Sequence, residues 1–108
     1  MKRALLALQP PLAQLIERMK KTGAKLIWAS TTPISDNPAH NQTAASIVER
    51  NQAAAVLMKR HGIATDDLFI AITPHLAEMQ NPSDVHFNAK GYDFLGETVA
   101  KAIEAVVK

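Results

Sequence analysis

An α/β domain with parallel strands is what the sequence predicts, and three observations predict it. Leu26-Ile27-Trp28-Ala29 is apolar without alternation, as a strand covered on both faces reads. Stretches with apolar residues at helical spacing flank that run. A second short run, Ile63-Ala64-Thr65, follows the later helix, so strand, crossover helix and strand make a right-handed βαβ unit with parallel pairing.

Each element follows from local chemistry. After Pro10-Pro11, residues Leu12, Leu15, Ile16 and Met19 share one helical face, Glu17 and Lys21 pair opposite them, and Gly23 supplies a stop, which predicts a helix over 11–22. The strand over 25–30 comes next and is expected to be central. Thr31 to Thr43 carries two prolines, Asn37 and Asn41, so it reads as a long loop leaving the strand's carboxyl end, where long loops tend to be functional. A second helix spans about 44–61, with Ile47, Ala54, Ala55 and Met58 on one stripe and Gly62 as terminator. Asp66-Asp67 can cap a helical turn through Leu68, Phe69, Ile70 and Ile72. Thr73-Pro74 has the N-cap and first-turn signature of another short helix reaching about Met79. Asn81-Pro82-Ser83-Asp84 is a turn. Asn88 then caps a terminal helix whose stripe is Tyr92, Leu95, Val99, Ala102 or Ile103, and Val106, with Glu97–Lys101 and Glu104–Lys108 pairs opposite.

Composition narrows the function classes. The 108 residues fit one domain at most, and 47% hydrophobic with 20% charged residues excludes disorder and low complexity. Twelve Lys and Arg against 10 Asp and Glu, scattered along the chain, make no phosphate-binding stripe, so nucleic acid is not an expected partner. No apolar run approaches the roughly 18 residues that span a bilayer. The start, Lys2-Arg3 before Ala4-Leu5-Leu6-Ala7-Leu8, has the order of a signal peptide, but Gln9-Pro10-Pro11 cuts the apolar stretch short, and localisation stays open. Without cysteine there is no disulfide, thiolate metal site or cysteine nucleophile. His40, His61 and His75 are too dispersed to read as metal ligands, and neither a metal nor another cofactor is expected.

The densest chemistry lies in Asp84-Val85-His86-Phe87-Asn88, just before the last helix. A histidine there can be held by helix packing with its ring accessible, while a carboxylate fixes its tautomer and stabilises the imidazolium. Ser30, Thr31 and Thr32 end the buried strand on the face where open α/β sheets bind ligands, although hydroxyls there commonly serve strand-end hydrogen bonds. Arg50 can contact a substrate or pair with Asp66 or Asp67, and the ion pair is the simpler expectation. Trp28 reads as core, His40 and His61 as loop and helix-end residues, and His75 as a helix-start surface residue.

Leu26-Ile27-Trp28-Ala29-Ser30-Thr31-Thr32-Pro33, Arg50-Asn51-x-Ala53-Ala54, Asp67-Leu68-Phe69 and Asp84-Val85-His86-Phe87-Asn88-Ala89-Lys90-Gly91-Tyr92, in that order, resemble the C-terminal half of an SGNH (GDSL-type) hydrolase from about residue 12 onward. The resemblance implies part of a flavodoxin-like three-layer α/β/α sandwich, and a serine esterase removing a short acyl group, acetyl on a carbohydrate by likeness to some members. It places His86 as catalytic base. The family's acid usually lies three residues before that histidine, a position held here by Ser83; Asp84, a backbone carbonyl, or a Ser-His dyad without an acid are the options, and Asp84 comes first. Thr31, Thr32 and Arg50 are the substrate-side candidates. The family's Gly-Asp-Ser, oxyanion-glycine and Gly-x-Asn-Asp blocks do not occur in the sequence. The 108 residues are therefore expected to be a single partial domain lacking its N-terminal half, and inactive alone. The competing expectation is a non-catalytic α/β remnant or interaction module, self-associating through an uncovered sheet edge.

Overall fold

The computed structural model describes residues 2–36, 43–82 and 84–108. The expectations for His40, Asn37, Asn41 and Ser83 lie outside those residues. In chain order the elements are α1 (Lys2–Lys20), β1 (Ile27–Ala29), α2 (Ala44–Arg60), β2 (Ala64–Asp66), α3 (Leu68–Ile72), a 3-10 turn (Thr73–His75), α4 (Leu76–Met79) and α5 (Ala89–Val107). The fold is mixed α/β and mostly helical. Its two strands pair in parallel with Ile27, Trp28 and Ala29 opposite Ala64, Thr65 and Asp66.

The βαβ unit forms as expected, but β1 is not a central strand among the described residues. It pairs with β2 alone, Ile27 and Trp28 are only half-buried and Ala29 is exposed. The first helix also differs, since it runs from Lys2 through Pro10 and Pro11 instead of starting after them. Each proline removes one amide donor to the preceding turn, yet its fixed φ is itself helical, and the Ala- and Leu-rich flanks favour helix strongly.

Two apolar seams hold the layers. Helix α1 packs on α2, and Ile16 of the one and Ala53, Ala54, Leu57 and Met58 of the other are all at most 2% exposed. Here the expected α2 stripe is corrected: Ala55 faces solvent, and Ala53 and Leu57 take the buried side. In the second seam Ile72, Met79 and Phe87 pack with Leu76, Phe94 and Leu95, and α5 also rests on both strands. Complete burial of Ile16, Leu57, Met58 and Ile72 contributes roughly 2 kcal/mol each. Tyr92 leaves its expected place in the α5 stripe, half-exposed and edge-on to Phe87 with centroids 6.0 Å apart. Leu95 keeps its expected place against the core, and Phe94, outside the expected stripe, joins it there.

Caps behave largely as their chemistry dictates. Gly62 ends α2 at φ +68° and Gly23 follows α1 at φ +77°, a conformation that costs a side-chain-bearing residue free energy. Thr43 accepts from the Ser46 amide, and Asp67 from the Ile70 amide. Thr73 departs from its expected capping role: its hydroxyl donates back to the Phe69 carbonyl, and Pro74 alone marks the turn. The i,i+4 ion pairs expected on α1 and α5 are not formed among the described residues; Glu17 instead faces His61, Oε1 to Nδ1 3.6 Å.

Gly91, in the first turn of α5, meets a steric requirement. A Cβ there would lie 2.8 Å from the Met79 carbonyl oxygen and 2.9 Å from the Phe87 Cβ, whereas one on Gly96 would meet nothing within 4 Å. Gly91→Ala is expected to lower stability by about 1–3 kcal/mol through overpacking. Gly96→Ala in the same helix should raise it by up to about 1 kcal/mol. Urea unfolding of both variants checks the contrast.

Candidate functional site

The loop carrying His86 is closed at its base by an isolated antiparallel bridge between Gln80 and Phe87. The Asn81 amide donates to the His86 carbonyl at 3.0 Å, and the Asn88 amide donates to the Met79 carbonyl at 2.8 Å. Asn88 adds two side-chain bonds. Its Oδ1 accepts from the Gly91 amide at 2.9 Å as the α5 N-cap, and its Nδ2 donates to the Glu78 carbonyl at 2.7 Å. Glu78 also faces Lys90 Nζ at 3.1 Å and His75 Nδ1 at 3.4 Å, and the hydrogen bonds to Lys90 first and His75 second hold its carboxyl below its ordinary value. His75, at the start of α4 as expected, has its side chain 38% exposed and its ring 4.9 Å from that of Phe94.

On this base the expected pair forms. His86 Nδ1 lies 3.1 Å from Asp84 Oδ1 and 3.2 Å from Oδ2, and the Val85 amide donates to Asp84 Oδ1 at 2.7 Å. The His86 contact is the larger cause, and the Val85 amide the next, of an Asp84 carboxyl held below its ordinary value. Both side chains are open to solvent, 67% for His86 and 42% for Asp84. With Nδ1 engaged, Nε2 is the ring nitrogen left to exchange a proton.

The carboxyl end of the sheet lies beside this loop, because Gln80 Nε2 donates to the Pro33 carbonyl at 2.7 Å. Ser30, 7% exposed, spends its hydroxyl inside the fold, donating to Asp67 Oδ1 at 2.9 Å and accepting from the Phe69 amide at 3.0 Å. Asp66, also buried, has its carboxyl pushed up by burial first and by the charge of Asp67 second. Asn51 on α2 closes a two-bond ring with Thr31, Oδ1 accepting from its amide at 2.9 Å and Nδ2 donating to its carbonyl at 2.8 Å.

Thr31 and Arg50 line one apolar cleft of about 360 Å³ with Leu12, Leu15, Trp28 and Ala54. Among the described residues Arg50 does not form the expected ion pair with Asp66 or Asp67, and it lines this cleft instead. Thr32 and the Asp84–His86 pair are not part of that lining. Among the described residues no cluster of three or more His, Asp or Glu could hold a metal ion, and no helix is long and apolar enough to cross a membrane. Asn51, Gln80 and Gly91 were missed as positioning residues. A polar residue three positions before buried Ala54 on one helical face was the available signal for Asn51; nothing local marks Gln80.

No family model matches the chain, and no curated protein matches it.

Asn51→Ala removes both bonds to Thr31 and is expected to cost about 1–3 kcal/mol in urea unfolding. For Asp84, the lowered folded-state value means the pair's contribution is fully present above the ordinary carboxylate range. It is lost as pH falls through the lower folded value. Carboxyl ¹³C shifts should place the Asp84 titration below that of unfolded-state aspartate, and His86→Ala should move it back up.

Proposed function

We propose that this chain is the histidine-bearing part of an SGNH-type serine esterase, with His86 as general base and Asp84 as the group that orients it. The Asp84–His86 contact, held on a hydrogen-bonded base with the His86 side chain 67% exposed, is the observation that carries the reading. In this reaction Nε2 takes the proton from a serine as its oxygen attacks the ester carbonyl, then returns it to the leaving alkoxide. Asp84 stays ionised and stabilises the imidazolium; its lowered value supports that role. Asp84 lies two residues before the histidine, one closer than in the resembled family, and still reaches Nδ1.

The nucleophile and oxyanion hole are supplied by a segment outside these 108 residues, which hold no Gly-Asp-Ser block. The parallel pair with helices packed against it is then part of a three-layer α/β/α sandwich, and the half-covered β1 supports that reading. The substrate class proposed is a short-chain ester, acetyl on a carbohydrate, with Thr31, Thr32 and Arg50 on the substrate side. A second reading, a non-catalytic interaction module, is favoured by exposed Leu15, Ile70, Ile103 and Val107.

The chain alone is expected to show no serine-type turnover of p-nitrophenyl acetate. Joined behind a Gly-Asp-Ser half of an SGNH hydrolase, it should restore hydrolysis, and His86→Ala should lower that rate roughly 10²–10⁴-fold. Turnover unchanged by His86→Ala rejects the assignment.

A further inference from the structure

We propose that the end of the molecule where the two strands begin is a docking surface for an anionic lipid bilayer. The inference goes beyond the esterase reading and stands without it.

Basic residues that are scattered along the sequence are gathered by the fold. Helices α1, α2 and α5 all end beside the starts of the strands. The parallel register sets Lys25 and Gly62 each two residues before the paired Ile27 and Ala64. Lys20 Nζ, at the end of α1, lies 3.1 Å from His61 Nδ1, at the end of α2, and Arg18, Lys21 and His61 line one open cleft of about 500 Å³. Lys25 Nζ donates to the Val106 carbonyl at 3.2 Å, which brings the end of α5 to the same place. Arg18, Lys20, Lys21, Lys25, Lys59 and Arg60 are all exposed. Among the described residues none of the six forms an ion pair with a carboxylate.

Helix ends account for only part of this charge. The carbonyl end of a helix carries about half a negative charge. Three such ends, with Glu17 in the last turn of α1 and Glu104 in the last turn of α5, fall short of six cations. Asp66, Asp67, Glu78, Asp84 and Asp93 lie toward the opposite end, where the strands finish. Charge is therefore segregated along the strand direction, and an anionic surface is drawn to one end.

The apolar neighbours of these cations choose among anionic partners. Met19, between Arg18 and Lys20, is 37% exposed, and Val107, at the end of α5, is 60% exposed. Cations interleaved with exposed aliphatic groups match charged headgroups over acyl chains. Nucleic acid is the poorer fit, because residues 18–25, 57–63 and 104–108 hold no aromatic side chain on which a base could stack. Docking by this end turns the His86 loop away from the bilayer, since Gln80 ties the base of that loop to Pro33, beyond the other end of β1.

Vesicle co-sedimentation tests this with the whole chain. Phosphatidylcholine vesicles containing about 30% phosphatidylserine should pellet it, and phosphatidylcholine alone should not. Raising the salt to about 0.5 M should release it. Lys21→Glu combined with Lys59→Glu should weaken binding at least about tenfold, whereas Arg50→Glu, a charge reversal nearer the other end, should change it less than about twofold. Val107→Asp should weaken it at least about threefold. Should the double variant fail to fold by circular dichroism, Val107→Asp decides. Equal binding to both kinds of vesicle, binding to neither, or binding unchanged in a folded double variant overturns the proposal. So does tighter binding to duplex or single-stranded DNA than to the anionic vesicles at the same salt, which assigns this end to nucleic acid.

Discussion

Asn88 is the residue on which the rest of the candidate site depends. Its amide, its Oδ1 and its Nδ2 bond Met79, Gly91 and Glu78, and its carbonyl accepts from the Tyr92 amide at 3.0 Å. One side chain thus ends the loop, starts α5 and locks both to the segment before the loop. The junction works only because Gly91 has no Cβ to press on the Met79 carbonyl. Since His86 lies two residues before Asn88, the position of its ring follows from this clamp more than from any packing of the ring itself, which stays open to solvent.

A second set of bonds sets where the sheet ends relative to that clamp. Asn51 holds Thr31 to α2, Ser30 ties β1 to the start of α3, and Gln80 joins the Pro33 carbonyl to the base of the histidine loop. The Asn51 and Gln80 bonds, and the Phe69 amide bond to Ser30 Oγ, join side chain to backbone and satisfy polar groups that a two-stranded sheet cannot satisfy by itself, while Ser30 to Asp67 joins two side chains. They also explain why Ser30 is not available as a reactive hydroxyl: both of its hydrogen-bonding roles are taken within the fold.

Much of this was legible in the sequence because it is local. The Gly62 stop, the Asp67 and Asn88 caps and the Asp84–His86 contact each depend on spacings of a few residues, and the parallel unit follows from the order strand, helix, strand. Features that depend on distant partners were not. Pro10-Pro11 read as a boundary, but the flanking Ala and Leu residues carry the helix across them. Tyr92 fits the apolar period of α5 together with Leu95, yet Tyr92 is half-exposed while Phe94, outside that period, packs against the core beside Leu95. Arg50 had two acidic candidates nearby in sequence, and only the packing of α2 against α1 decides that it lines the cleft instead. Trp28 read as core, and its half-burial reflects how little of β1 the described elements cover.

The central claim is that Asp84 fixes the His86 ring with its proton on Nδ1 and Nε2 bare. Long-range ¹H–¹⁵N correlation on the chain, at a pH where the ring is neutral, reads that tautomer directly. The account predicts a protonated Nδ1 and an unprotonated Nε2, with the preference lost in Asp84→Asn. A ring protonated on Nε2, or a tautomer ratio unaffected by Asp84→Asn, would contradict it.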